Sequence, residues 1–157
     1  MRFVRVIVAT LALMTFAAPA ADARDVVYLD GDVSLGLGLG DPTALDVKFW
    51  TGNYSGFNFG LGLEQFDDIF GVYGEYELGL AAFALGNSGA RGAFYIGVGG
   101  ALAAHSDHSS VAVVIPIGVD FRFRPPVDLF IEARPGVGLI HRPAFGIGGQ
   151  LGVRFRI

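Results

Sequence analysis

The chain has 157 residues, 24 of them glycine, and a formal net charge of −4. It contains no cysteine, which excludes a disulfide framework and a thiolate metal site. The acidic balance, with no basic stripe interleaved with aromatics, argues against a nucleic-acid partner.

Residues 1–23 read as a secretory signal peptide. Arg2 and Arg5 form the positive n-region, and 6–16 is an apolar stretch too short to span a bilayer. Ala21-Asp22-Ala23 supplies an A-x-A cleavage site before Arg24, with Ala18-Pro19-Ala20 as a second option. The remaining chain, 24–157, is long enough for one domain. Without Arg2, Arg5 and Asp22 it holds 9 basic and 14 acidic residues.

Eight segments of alternating character follow. Side chains in a strand point to opposite faces in turn, so a period of two separates the two faces directly. In the first segment, 28–40, Val33, Leu35, Leu37 and Leu39 oppose Ser34, Gly36, Gly38 and Gly40, and Asp41-Pro42 ends it. The second, 43–52, sets Leu45, Val47 and Phe49 against Asp46, Lys48 and Trp50. The third, 55–65, sets Phe57, Phe59, Leu61 and Leu63 against Asn58, Gly60, Gly62 and Glu64. In the fourth, 70–85, Val72, Tyr76, Leu78 and Leu80 oppose Tyr73, Glu75, Glu77 and Gly79. Gly86-Asn87-Ser88-Gly89 turns the chain into the fifth, 92–104. There Phe94, Ile96, Val98 and Leu102 oppose Tyr95, Gly97, Gly99 and Ala101.

The sixth segment, 111–124, carries Val111 to Phe123 on odd positions and Pro116, Gly118, Asp120, Arg122 and Arg124 on even ones. Pro125-Pro126 breaks it. The seventh, 127–141, opposes Val127, Leu129, Ile131, Val137 and Leu139 to Asp128, Glu132, Arg134, Gly136 and Gly138. The eighth, 144–157, opposes Phe145, Ile147, Leu151, Val153, Phe155 and Ile157 to Gly146, Gly148, Gln150, Gly152, Arg154 and Arg156.

A soluble barrel would need Lys, Glu and Thr on its polar face. Here that face is mostly glycine, and the chain contains a single lysine, Lys48. Glycine gives little solubility outside but leaves room inside a narrow bore. The pattern predicts an all-β, closed, antiparallel, eight-stranded up-and-down transmembrane β-barrel, apolar outside. Closure removes sheet edges that lipid cannot satisfy.

The charged face then lines a lumen. Glu75, Glu77, Asp120, Arg122, Glu132, Arg134, Arg154 and Arg156 are expected to pair across it as a Glu/Asp–Arg network, accompanied by Asp46, Lys48, Glu64, Arg124 and Asp128. Pairing of the first segment with the last would set Asp30 and Asp32 against Arg154 and Arg156 as closure pairs. Trp50, Tyr28, Tyr54 and Tyr76 fit a membrane-interface girdle.

On these features the chain resembles small outer-membrane barrels of the OmpA/OmpX type. The resemblance covers 24–157 and is architectural. It implies an outer-membrane location after signal-directed export, lipid and lipopolysaccharide as surroundings, the outer-membrane assembly machinery as a partner, and a monomer. It implies a structural or envelope-integrity role with no cofactor or metal. Two alternatives stand beside it. His108-x-Ser110 has the spacing seen in outer-membrane lipid A deacylases, which would make it a lipid-modifying enzyme. A secreted lipocalin-like binder would instead turn the apolar face inward around a ligand. Glu75, Glu77 and Glu132 have the residue types of paired-carboxylate acid–base chemistry, but a structural network accounts for them better.

Overall fold

The computed structural model describes residues 32–51, 55–64, 69–86, 90–104, 109–123, 126–140 and 143–157. The signal peptide, Asp30 and His108, together with the side chains of Glu64 and Arg124, lie outside the described residues. Among those described, the secondary structure is strand: β1 (Val33–Asp41), β2 (Thr43–Trp50), β3 (Ser55–Glu64), β4 (Ile69–Leu85), β5 (Ala90–Ala104), β6 (Ser109–Val114), β7 (Ile117–Arg122), β8 (Val127–Gly138) and β9 (Phe145–Arg156).

β1 to β5 pair antiparallel in order, β6 and β7 both lie between β5 and β8, β8 pairs β9, and β1 also pairs β9, from Ser34 opposite Arg156 to Asp41 opposite Gly149. The sheet therefore closes on itself. The expected sixth strand is interrupted at Ile115-Pro116 and forms two pieces, β6 and β7. The cause is Pro116, which has no N–H to give the ladder. The register survives the break. Gly99 faces Val114 before it and Tyr95 faces Gly118 after it, four residues on along each strand. Bonds from Ile115 N to Pro135 O (2.9 Å) and from Gly97 N to Pro116 O (2.8 Å) bridge the gap. The ring thus has eight strands, one of them broken.

The apolar face points outward all round the ring. Leu35, Leu37, Leu39, Leu45, Phe59, Leu61, Val98, Leu129, Ile131, Leu151 and Phe155 are exposed. Phe49, Phe57, Phe121 and Phe155 lie within two residues of strand ends on the rim that carries both Val33 and Arg156. Phe57 packs against Tyr76 with ring centroids 5.0 Å apart. Between Gly79 and Ala81 the β4–β5 register shifts by a bulge, so Leu80 and Ala81 are both exposed before Ala82 turns inward. At the far end of β4, Gly86 adopts φ 59°, a left-handed conformation that glycine takes without a Cβ penalty.

Glycine elsewhere serves space more than conformation. A Cβ on Gly60 would meet the Tyr73 ring, and one on Gly118 would meet the Tyr95 hydroxyl. A Cβ on Gly36 would meet Asp46 and Arg154. On Gly152 it would meet the Phe130 ring and the Leu37 carbonyl, neither of which can retreat from a filled bore. Gly152→Val is expected to cost at least the 1–3 kcal/mol typical of overpacking, about that or more. Urea unfolding of the two proteins in detergent micelles checks it, and an unchanged midpoint would refute tight packing under Phe130.

Candidate functional site: a charged lumen

The inward face brings charges from five of the eight ring strands, with Asp32 just before β1, into a bore that eight strands leave just wide enough for side chains. They form three layers along the axis.

The middle layer centres on Lys48 of β2 and Arg154 of β9, respectively 0% and 1% exposed. Lys48 Nζ donates to Asp120 Oδ2 at 2.7 Å and forms an ion pair with Glu77 Oε2 at 2.6 Å. Arg154 donates from Nε to Asp46 Oδ2 and from Nη1 to Asp120 Oδ1, both at 2.9 Å, and its Nη2 lies 2.8 Å from Asp46 Oδ2 as an ion pair. Asp120 therefore holds both cations and links β2, β7 and β9. The Arg154 guanidinium stacks on Phe130, 3.7 Å from its centroid, and Lys48 sits 4.1 Å from the Trp50 ring centroid. Aromatic faces are favourable partners for cations held away from water.

A second layer lies toward the rim of Pro42 and Gly136. Arg134 Nε meets Glu75 Oε1 at 2.7 Å, and its Nη2 meets Glu132 Oε1 at 2.5 Å. Its guanidinium carbon lies 3.9 Å from the Tyr73 ring centroid. Tyr95 donates to Glu132 Oε2 at 2.7 Å, and Gln150 Nε2 donates to the Pro42 carbonyl at 2.5 Å. The third layer is at the opposite rim. Arg122 pairs with Asp32 at 2.6 Å and Arg156 with Asp128 at 3.3 Å; Arg156 also donates to the Phe123 carbonyl.

All eight residues expected in the lumen network thus lie on the inward face, with Asp46, Lys48 and Asp128 beside them. The closure pairs expected between Asp30 or Asp32 and Arg154 or Arg156 are corrected. Asp30 is outside the described residues. The seam register puts Ser34 opposite Arg156 and Gly36 opposite Arg154, so Asp32 sits beyond the last arginine. Asp32 reaches across the bore to Arg122, and Arg154 reaches to Asp46 and Asp120. The arginines are long enough to bridge the lumen, and the wall opposite Arg154 is glycine.

One aromatic assignment also changes, and Tyr28 and Tyr54 lie outside the described residues. Trp50 is buried against Lys48 and does not belong to a girdle on the outer wall, whereas Tyr76 does lie on that wall beside Phe57. Phe130, 0% exposed, is a lumen residue that the pattern reading passed over; its even position between Asp128 and Glu132 was the available signal. The apolar-cavity alternative fails because the apolar face is outside and the bore is filled by ion pairs. Ser110 sits in β6 opposite Ala103, and the position of its expected partner His108 lies outside the described residues.

Fold and lumen together define a closed, antiparallel, eight-stranded up-and-down β-barrel with a buried, charged interior. No protein-family model matches the chain, and no curated protein matches it. Among solved structures it is similar to the N-terminal β-barrel domain of OprF from Pseudomonas aeruginosa, with a TM-score of 0.53 and 14% identity. The likeness covers 80% of this chain and 96% of that one. What the two share at this identity is the fold, and the architectural resemblance read from the sequence holds at that level.

Proposed function

We propose that this chain is an outer-membrane β-barrel with a structural, envelope-integrity role. In this reading it is exported under the signal at 1–23, inserted by the outer-membrane assembly machinery, and surrounded as a monomer by lipid and lipopolysaccharide. One observation carries the reading: the large apolar side chains face outward on every strand of a closed ring, while Asp46, Lys48, Glu75, Glu77, Asp120, Glu132, Arg134 and Arg154 are buried inside. Water-soluble monomers rarely expose contiguous apolar patches beyond a few hundred Å². With the broken strand counted as one, strand lengths of 8 to 17 residues suit tilted membrane strands of about 9–11 residues. The outer phenylalanines near one rim fit an interfacial belt. The likeness to the OprF barrel domain supports the same reading.

Cell fractionation with gel mobility before and after boiling tests it. The protein should fractionate with the outer membrane and run anomalously until heated. Recovery as a folded soluble protein would refute the proposal. A sealed bore gives a further expected outcome: planar bilayers containing the protein should show no steady ion conductance beyond small transient events. Large, stable conductance would replace the structural role with that of a pore.

A further inference from the structure

The outer wall is not evenly covered. Val47, Phe59, Gly74, Gly100 and Val113 face one another in turn across β2 to β6 and form one outward row. The row beside it, toward the rim of Pro42, is Leu45, Leu61, Val72, Leu102 and Val111. The row on its other side includes Phe57, Tyr76 and Val98. Large side chains thus flank two adjacent positions that have none. The result is a groove of about 580 Å³, walled by Leu45, Val47, Phe59, Leu61, Val72 and Leu102, with Gly74 and Gly100 in its floor.

The space is open at one end and partly roofed at the other. A Cβ on Gly100 would meet nothing nearer than the Ala112 carbonyl at 3.8 Å, whereas one on Gly74 would lie 3.2 Å from the Phe59 ring. The floor is main chain that already pairs in the ladders of β3 to β6. Tyr73 also borders the groove, but its ring is buried and its hydroxyl bonds Gln150 in the lumen. An occupant therefore meets hydrocarbon and paired backbone, with no polar group to satisfy. An apolar hollow left unfilled forfeits the contacts of everything that lines it.

We propose that this groove holds one acyl chain of a membrane phospholipid. The proposal rests on the outer-membrane reading and adds to it a defined lipid site. The groove is continuous with the exposed apolar wall that this reading sets in lipid. It crosses three strand spacings, about 14 Å, and lies between two rows of side chains, a shape that suits an unbranched hydrocarbon chain. A second copy of the barrel does not fill it. A two-fold contact sets the same patch against itself, here groove against groove, and leaves the hollow empty. Among the described residues no Lys or Arg lies on the outer wall of β2 to β6, so nothing beside the groove would meet the phosphates of lipopolysaccharide. Phospholipid is the source that fits.

The test uses the full chain refolded into phosphatidylcholine vesicles, with insertion scored by heat-modifiable gel mobility. The protein is then extracted into mild detergent for native mass spectrometry. Wild type should retain one phospholipid per chain. Gly100→Leu fills the groove from outside and should lower retention about tenfold or more, the scale of effect that overfilling gives. Leu102→Ala removes part of one wall and should lower it about threefold. Leu151→Ala, on the outer wall of β9, should leave it unchanged. Should Gly100→Leu not insert, wild-type stoichiometry and Leu102→Ala decide. An inserted wild-type barrel that carries no phospholipid overturns the acyl-chain site and leaves the membrane reading standing; a chain that never inserts overturns both. Preferential retention of added lipopolysaccharide, a lipid-free dimer, or equal retention by wild type and inserted Gly100→Leu also overturns the site.

Discussion

Arg154→Ala should lower the stability of the folded barrel by about 3–5 kcal/mol, the range for removing one partner of a buried ion pair. The guanidinium is 1% exposed and neutralises Asp46 and Asp120 together. Its loss leaves both carboxylates in the bore with Lys48 as the remaining neighbour able to reach Asp120. Arg156→Ala is the matched control. That side chain is 22% exposed at the rim, where solvent screens its pairing with Asp128, and its loss should cost no more than about 1 kcal/mol. Urea unfolding in micelles, followed by fluorescence, measures both. The chain has a single tryptophan, Trp50, and it lies in the lumen against Lys48, so it reports on this layer directly. Equal, small effects of the two substitutions would mean that the lumen pairs do not hold the fold together.

The second large effect is expected on the opposite face. Leu151 lies mid-strand in β9, between Leu39 and Ile131, and is 57% exposed. Leu151→Arg should destabilise the membrane-inserted barrel by about 2–4 kcal/mol, the cost of a lipid-facing arginine near the midplane. The measurement is unfolding from lipid vesicles, together with the fraction of protein reaching the membrane. A folded, soluble Leu151→Arg protein would remove the membrane reading altogether. The two variants discriminate between faces: Arg154→Ala should weaken the barrel in micelles and vesicles alike, while Leu151→Arg should matter most where lipid must be displaced.

What the sequence made legible, and what it hid, follows from the geometry of a strand. A period of two assigns each residue to a face, so Glu75, Glu77, Arg134 and Arg154 could be placed inward one strand at a time. It carries no information about which strands face each other across the bore. That depends on the number of strands and on their stagger, so Lys48 with Asp120 and Asp32 with Arg122 could not be paired in advance. The seam was legible as β1 beside the last strand. Its register was not, because an offset of two residues preserves every inside and outside assignment while changing every neighbour. Pro116 showed itself in the sequence on an even position. That it would break a strand without shifting the register on either side depended on its neighbours, Gly97 and Pro135, which supply the bridging bonds.

The reach of Arg154 also bears on the order in which the barrel forms. Asp46 precedes Arg154 by 108 residues, and Asp120 follows Lys48 by 72. None of these charges finds its partner within a local hairpin. An open sheet of β1 to β4 would therefore carry Asp46 without Arg154, its partner in the closed ring. Contacts of such long sequence separation arrive late and are slow to form, because the loop entropy must be spent before they yield anything. Until the last strand docks, the intermediate has reason to keep its charged face in water and its apolar face folded away. Docking of β9 then closes the ring and neutralises the middle layer in a single step. Assembly should accordingly be close to all-or-none, with the final strand acting as the latch.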